Sequence, residues 1–360
     1  MYTFHAQKNR MSDISLKRNH KINKQPLETE RQFNVKNTEK RPVAFLRRKQ
    51  SMDPAIIERT DLLKKNSKVF KLIGCEPRTK WIVLACVMLQ ITIACISKNL
   101  SRVPFFLSVY VLGATLNQSL FLAIHEISHN LAFKSPFANR MLSVFANLPI
   151  GIPYAIVFRH YHLAHHRDFG IQGIDTDLPS QWESWIVSRT ATSKIDHAFR
   201  KLIFMAFHVL SYALRPLLVN QTLFPINQWV VFNFIAQGAF NATIVHSVGW
   251  KPLIYLISST FVAGSLLHPC SSHFLAEHYT SDQNIETYSH YGFLNRLTFN
   301  VGYHREHHVL PGVPWSNLPK LREIIDTEIS PAPQRPSWCN LLLDFLTDDS
   351  FTLYNRVCSE

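Results

Sequence analysis

What the 360-residue sequence has little or none of already excludes several kinds of protein. Its six cysteines (Cys75, Cys86, Cys95, Cys270, Cys339 and Cys358) are widely spaced and form no CxxC pair. A disulfide framework or a zinc ribbon is thereby excluded, and the six read as small buried hydrophobes or free thiols. The first 40 residues hold no apolar run of the kind a cleavable secretory signal needs, and residue 2 is Tyr where N-myristoylation needs Gly. The expectation is a protein that is not secreted in soluble form. Neither GxGxxG nor CxxCH occurs, so no dinucleotide fingerprint and no c-type haem site is encoded. Acid is scarce: 25 Asp and Glu face 38 Lys and Arg, a formal charge of +13.

That charge is unevenly spread. Residues 1–80 hold 20 Lys and Arg against 8 Asp and Glu, and residues 81–360 hold 18 against 17. The mean hydropathy of −0.03 therefore averages a polar, basic N-terminal part and an apolar body that is nearly neutral. Residues 1–27, with Asp13 as the single acid, loosely resemble a mitochondrial presequence, but Asn and Lys dominate over Arg and no amphipathic period is present. The tail has no aromatic interleaving and no nucleic-acid motif, so it reads as a cytosolic flank of a membrane protein rather than a nucleic-acid arm.

The body supports that reading. Trp81 to Ile96 is uncharged between Lys80 and Lys98, and its 16 residues reach about 24 Å as a helix. After a polar turn with Arg102 and Pro104, the 20 residues from Phe105 to Ile124 give about 30 Å, enough to span. A second pair follows, Trp229 to Val245 and Leu253 to Leu267, linked through Gly249, Trp250, Lys251 and Pro252. Four spans in two hairpins put both termini on one side, and the positive-inside rule makes that side cytosolic. Two further apolar stretches, Met141 to Phe158 with Pro149, Gly151 and Pro153, and Leu202 to Val219 with Arg215 and Pro216, are expected to be interfacial or partly buried.

Eighteen histidines are the second unusual count, and they cluster. His125-Glu-Ile-Ser-His129 follows the second span, His162-Leu-Ala-His165-His166 follows the Met141 to Phe158 stretch, and His304-Arg-Glu-His307-His308 lies beyond the fourth. Spacings of three and four put imidazoles on one helical face, and the topology puts all three boxes on the cytosolic side. HEISH also satisfies the HExxH signature of zinc proteases, in which Glu126 would be the general base. That chemistry needs one metal and three protein ligands, and would leave most of the boxed histidines without a task. Eight clustered imidazoles suit two transition-metal ions better, and imidazole takes iron as readily as zinc. Lone histidines such as His5, His20, His197, His208 and His246 read as structural or solvated. Two irons at the membrane surface can activate dioxygen against an unactivated C–H bond of a lipid chain. This requires two electrons from another protein, since no reductant site is encoded. Glu126, Glu306, Asp168, Asp175 and Asp177 are candidates to accept hydrogen bonds from ligand imidazoles.

The strings HEISHNLAF (125–133), ANLPIGIPY (146–154), HYHLAHHRDFGIQGIDTDLP (160–179), HPCSSHFLAEHY (268–279) and ETYSHYGFLNRLTFNVGYHREHHVLPGVP (286–314) carry a further inference. The sequence from about residue 58 to its C-terminus resembles the membrane fatty acid desaturase superfamily, specifically the sphingolipid Δ4-desaturases. The resemblance implies a di-iron enzyme of the endoplasmic reticulum membrane that sets the 4,5-trans double bond in the sphingoid chain of dihydroceramide. It further implies O2 as co-substrate and electrons from NADH through cytochrome b5 reductase and cytochrome b5. Some members also hydroxylate C4. A ninth histidine before the last box completes the family's ligand set. Of His268, His273 and His278, that role is carried onto His273, whose lead of 31 residues before His304 fits the family pattern; His278 is the second choice. The expected ligands are thus His125, His129, His162, His165, His166, His273, His304, His307 and His308, with Glu126, Asp175, Asp177, Asn300 and Tyr303 around them.

Two departures stand out. The family's Met-Gly start and WVYTD-like segment are replaced by the basic tail, and Ser272 stands where Gly is common. The fold expected is an all-α integral membrane protein, with four transmembrane helices in two hairpins (about 81–124 and 229–270), interfacial helices and a cytosolic helical cap holding the di-iron site. Residues 1–57 form a basic, largely disordered extension and 58–360 the membrane domain. A membrane zinc protease and a non-catalytic lipid sensor are the competing readings.

Overall fold

A computed structural model describes residues 46–48, 54–188, 193–280, 282, 285–329, 333–334 and 337–359. The chain divides into Met1–Lys40 and Arg41–Glu360, and everything described belongs to the second unit. The expected extension, residues 1–57, lies outside the described residues except for strand Leu46–Arg48 and the first residues of helix Pro54–Lys65. Among the described residues the one sheet is a parallel pair, with Leu46, Arg47 and Arg48 opposite Val357, Cys358 and Ser359. Nearly everything else regular is helix.

Both segments of the first expected hairpin are helical, within Arg78–Ser97 and Arg102–Ser128. The second loosens into a π-turn at Val109–Gly113 before tightening again towards its first histidines. Together with Lys194–Val219, these are the three described helices long and apolar enough to cross a membrane, or five if each of two bent pairs is one span. Helix Gln228–Val248, which holds the expected third span, is not among the three. Its Asn233, Gln237 and Asn241 recur every four residues, which makes one polar stripe along an otherwise apolar helix. The expected fourth span lies in Trp250–Gly264, followed across a 42° bend by Pro269–His278.

The Leu202 to Val219 stretch, expected to be interfacial or partly buried, is part of one 26-residue helix that has the length and apolarity of a span and buries part of its surface in the protein. Arg215 suggested the interfacial or partly buried placement. In the fold it is buried inside the protein, donating to Glu183 Oε1 at 2.9 Å and to the carbonyls of Thr176 (3.2 Å) and Asp177 (3.0 Å). A guanidinium paired in this way needs no contact with water or headgroups. Pro216 lies in the last turn, where the helix is ending and a proline disrupts little.

The Met141 to Phe158 stretch breaks where its Pro and Gly residues lie: Pro136–Ile150 and Ala155–Arg167 meet at 116°. Gly151, at φ +80°, takes the left-handed conformation that lets the chain reverse. Irregular backbone at membrane depth is tolerated only where the protein pairs it, and here it does. Side chains donate to five consecutive carbonyls: Gln237 to Leu148 (2.9 Å), Asn117 to Pro149 (3.4 Å), Thr260 to Ile150 (2.7 Å), Asn241 to Gly151 (3.0 Å) and Asn147 to Ile152 (2.7 Å). The polar stripe of Gln228–Val248 thus exists to hold this break. Gln237→Leu is expected to destabilise the fold by about 1–3 kcal/mol for each buried group left unpaired. A clear fall in the thermal midpoint of the detergent-solubilised protein would show it; an unchanged midpoint would contradict this role.

The main core gathers Leu120, Ile124, Ile156, Phe158, Tyr161 and Leu275, so the helices carrying the first two boxes pack directly beneath them. A smaller core joins Leu62 of helix Pro54–Lys65 to Val309, Leu310 and Leu321 around the third.

Candidate metal centre

Each box is local in sequence, but its imidazoles meet only through the fold. His125 lies in the last turn of Arg102–Ser128, and His129 caps it one turn later on the same face. His162, His165 and His166 end helix Ala155–Arg167, and His304, His307 and His308 fill the short helix His304–Val309. Nε2 of His129 stands 2.8 Å from Nε2 of His162, and Nε2 of His166 stands 3.1 Å from Nε2 of His307. His125, His129, His162, His166 and His307 form one group, all of whose ligand nitrogens lie within 4.8 Å of one another.

A second group adjoins it. His165, His278 and His308 converge, and His278 also meets His304, with their Nε2 atoms 2.8 Å apart. His278 thus belongs to two triads, one with His165 and His308 and one with His304 and Glu277; together they set four imidazoles beside the group of five, and rings of the two sets touch at His166 and His308, whose centroids are 4.3 Å apart. These spacings suit metal ligation. With metal–nitrogen bonds of about 2.1 Å, neighbouring ligands on one ion stand about 3 Å apart and opposite ones about 4.2 Å. Nδ1 of His307 and Nε2 of His308 are buried with no hydrogen-bond partner, which is costly unless something else engages the rings. Burial first, and neighbouring imidazoles second, hold the pKa of His304, His307 and His308 well below the usual value. The rings therefore stay in the neutral form that binds a metal.

The expected ninth ligand, His273, is not in either group; His278 is. Nδ1 of His273 lies 2.9 Å from the Cys270 carbonyl and 3.3 Å from Nε2 of Gln118, and its ring packs on Phe274. Both histidines belong to helix His273–His278, where five residues turn the side-chain direction by about 140°. Only one of them can face the boxes. His268 is further off still, with Nε2 3.3 Å from Thr115 Oγ1.

The surrounding residues match their expected places unevenly. Asp175 accepts from His165 Nδ1 at 2.9 Å and is itself fixed by the amides of Gly170 and Asp177. Asp177 faces away, towards Arg356 at 2.7 Å; burial opposes its ionisation, but the guanidinium outweighs burial and holds the carboxyl well below the usual range. Glu126 meets no imidazole. Its Oε2 accepts the Trp315 amide at 3.0 Å, which ties the first box to the loop after the third. Glu306 accepts from Tyr291 and Ser289 hydroxyls, both at 2.7 Å, and Asp168 pairs with Arg167 at the surface. Asn300 donates to the Trp315 carbonyl at 2.9 Å, Tyr303 packs on Tyr291, and a Cβ at Gly302 would collide with the His290 carbonyl. These last three shape the approach to the third box without touching its imidazoles.

Some participants were not anticipated. Glu277 Oε1 lies 3.3 Å from His304 Nδ1, and the Glu286 carbonyl lies 3.1 Å from His278 Nδ1. Their one signal is proximity to His278. Below the histidines, Phe121, one turn before His125, packs on Phe158, whose ring stacks on His162. Phe121 also lines a largely apolar, partly open pocket, with Tyr212, Ala213, Ile150, Ala263 and Phe274 among its other walls. The pocket is apolar enough to take a hydrocarbon chain, and Phe121 and Phe158 lie between it and His162.

The comparisons agree with this arrangement. The family model described as fatty acid desaturase matches residues 101–338. A sphingolipid delta(4)-desaturase of Candida albicans is 42% identical, with 86% of each chain covered. That of Drosophila melanogaster is 41% identical over 85% of this chain and 92% of its own, and that of Homo sapiens 40% over 84% and 91%. With three histidine-bearing segments folded into one buried cluster, and these matches across most of its length, the chain belongs to the fatty acid desaturase family of oxidoreductases.

Proposed function

We propose that this chain is a sphingolipid Δ4-desaturase, which removes hydrogen from C4 and C5 of the sphingoid chain of dihydroceramide and leaves the 4,5-trans double bond of ceramide. The observation that carries the proposal is the convergence of nine imidazoles, five in one group and four in two triads that share His278, with an apolar pocket nearby. His125, His129, His162, His166 and His307 would hold one iron, and His165, His278, His304 and His308 the other. Two irons held there, with O2 and with electrons passed from NADH through cytochrome b5 reductase and cytochrome b5, supply the oxidising power that an unactivated C–H bond requires.

The chain's own residues do the rest. Asp175 keeps a proton on His165 Nδ1, and the Glu286 carbonyl does the same for His278, so that Nε2 of each ring is left to ligate. Phe121 and Phe158 close the space beneath the imidazoles to water, and the cavity below them aligns the lipid chain. Relatives whose printed names are those of sphingolipid delta(4)-desaturases, at 40–42% identity, support the choice of lipid and bond.

Location follows from parity. His166 and His307 are 3.1 Å apart, so an even number of crossings must separate the second box from the third. We take helices Gln228–Val248 and Trp250–Gly264 as those two, and Lys194–Val219, although long and apolar enough to cross, then lies against Trp250–Gly264 without crossing, with Arg215 paired inside the protein. The bent pair Pro136–Ile150 and Ala155–Arg167 enters and returns on one side. Four crossings then leave both termini with the boxes on the cytosolic face, in the membrane of the endoplasmic reticulum.

Expression of the chain in yeast, with ceramides analysed by mass spectrometry against an empty-vector control, tests the proposal. Ceramide carrying a 4,5-double bond is expected. Neither that product nor a C4-hydroxylated one, from a folded protein with reductase present, would sink the assignment.

A further inference from the structure

The third box sits on a helix of only six residues, His304–Val309. Too short to hold itself, such a helix leaves its last carbonyls without partners inside the helix, and here the residues that bear them are buried. A partner comes from about 250 positions away. On helix Pro54–Lys65, Arg59 donates from Nε to the Val309 carbonyl at 2.7 Å and from Nη2 to the His308 carbonyl at 3.2 Å. Its neighbour Glu58 pairs with the Arg305 guanidinium at 2.8 Å, at the other end of the same helix. A positive group at a helix C-terminus also complements the negative end of the helix dipole.

The other two boxes are held in a comparable manner by different arginines. Arg159 donates to the Ser128 carbonyl, beside His129, and Arg215 and Arg356 both donate to the Asp177 carbonyl, two residues from the Asp175 that holds His165. In each case a guanidinium holds backbone of a histidine-bearing segment or of the loop that follows one. Arg59 and Arg356 both lie outside the residues matched by the family model, and of these four arginines Arg59 is the one that donates to carbonyls of the third box itself.

We propose that Arg59 is a positioning residue for the third histidine box, holding helix His304–Val309 by its C-terminal carbonyls so that His304, His307 and His308 stay aimed at the metal positions. The inference rests on the metal-holding role of these histidines and not on which lipid bond is attacked. Apolar packing of Leu62 against Val309 does not depend on the guanidinium, so its loss loosens the box while the two helices stay docked.

Full-length protein in detergent, loaded with ferrous iron, gives the test: iron per chain, and the rate at which a ferrous chelator removes it. Arg59→Leu is expected to release iron about tenfold or more faster than wild type, the size of effect that partners of metal ligands usually have. Arg59→Lys should fall between the two, because an ammonium can serve one carbonyl but lacks the fork that serves both. Wild-type release rates in Arg59→Leu would overturn the proposal. If Arg59→Leu does not fold, Arg59→Lys and Glu58→Gln decide, since both should release iron faster and wild-type rates in both would overturn it. A wild-type chain that takes up no iron would instead overturn the metal reading, and this role with it, whatever the variants do.

Discussion

His278→Ala is expected to lower the bound iron from two per chain towards one and bring the Δ4-unsaturated product down to background, whereas His273→Ala should leave iron near the wild-type level. The difference follows from the geometry of one short helix. His278 Nε2 stands 2.8 Å from His304 Nε2 and joins a group with His165 and His308, while His273 is turned to Cys270 and Gln118. Removing His278 takes one imidazole from the group of four. Removing His273 takes away a packing partner of Phe274, whose ring lines the cavity, so a moderate loss of product with full iron is consistent with its place. Iron analysis of the two purified variants reads the distinction directly. Loss of iron in His273→Ala with full iron in His278→Ala would show that the groups are wrongly drawn.

Filling the cavity should give the opposite separation. Ala213 lines it from helix Lys194–Val219, on the side away from Phe121 and Ile150 in sequence, and approaches no boxed histidine in any contact described above. Ala213→Phe puts a ring into space that the lipid chain is proposed to occupy. Misplacement of a reacting bond by about 1 Å costs on the order of a hundredfold in rate, so product should fall at least that far while iron stays at two per chain. Product at the wild-type level from a folded Ala213→Phe protein would mean that the chain lies elsewhere. Taken together, the two variants separate holding the metal from aligning the substrate.

The boxes were legible in the sequence because their information is local. Spacings of three and four on a helix place imidazoles on one face wherever that helix goes, and an apolar run before each box says roughly where it goes. Asp175 was legible only as one of five carboxylates in or after the boxes, and it is the one of those five seen to accept from an imidazole, that of His165. The ninth histidine was not, because the choice between His273 and His278 depends on how Pro269–His278 turns after the 42° bend, and no local spacing encodes that rotation.

Buried charge was ambiguous for a related reason. Arg215 left an interfacial and a partly buried helix both open, since its partners, Glu183 and the carbonyls of Thr176 and Asp177, lie 32 to 39 residues upstream. The break at Leu148–Gly151 could be read from Pro149 and Gly151. Four of its five donors could not, since Asn117, Gln237, Asn241 and Thr260 are far away in sequence and look like ordinary polar residues in apolar helices. Glu126 was plausible both as a protease base and as a partner of an imidazole. Its acceptance of the Trp315 amide gives it a task in neither role.

Metal analysis of the purified full-length chain tests the central claim most directly. Groups of five and four imidazoles call for two ions, and the di-iron reading calls for both to be iron. Close to two irons per chain, with little zinc, is the predicted result. One zinc per chain and no iron would contradict the account and favour the single-metal chemistry that HEISH also allows.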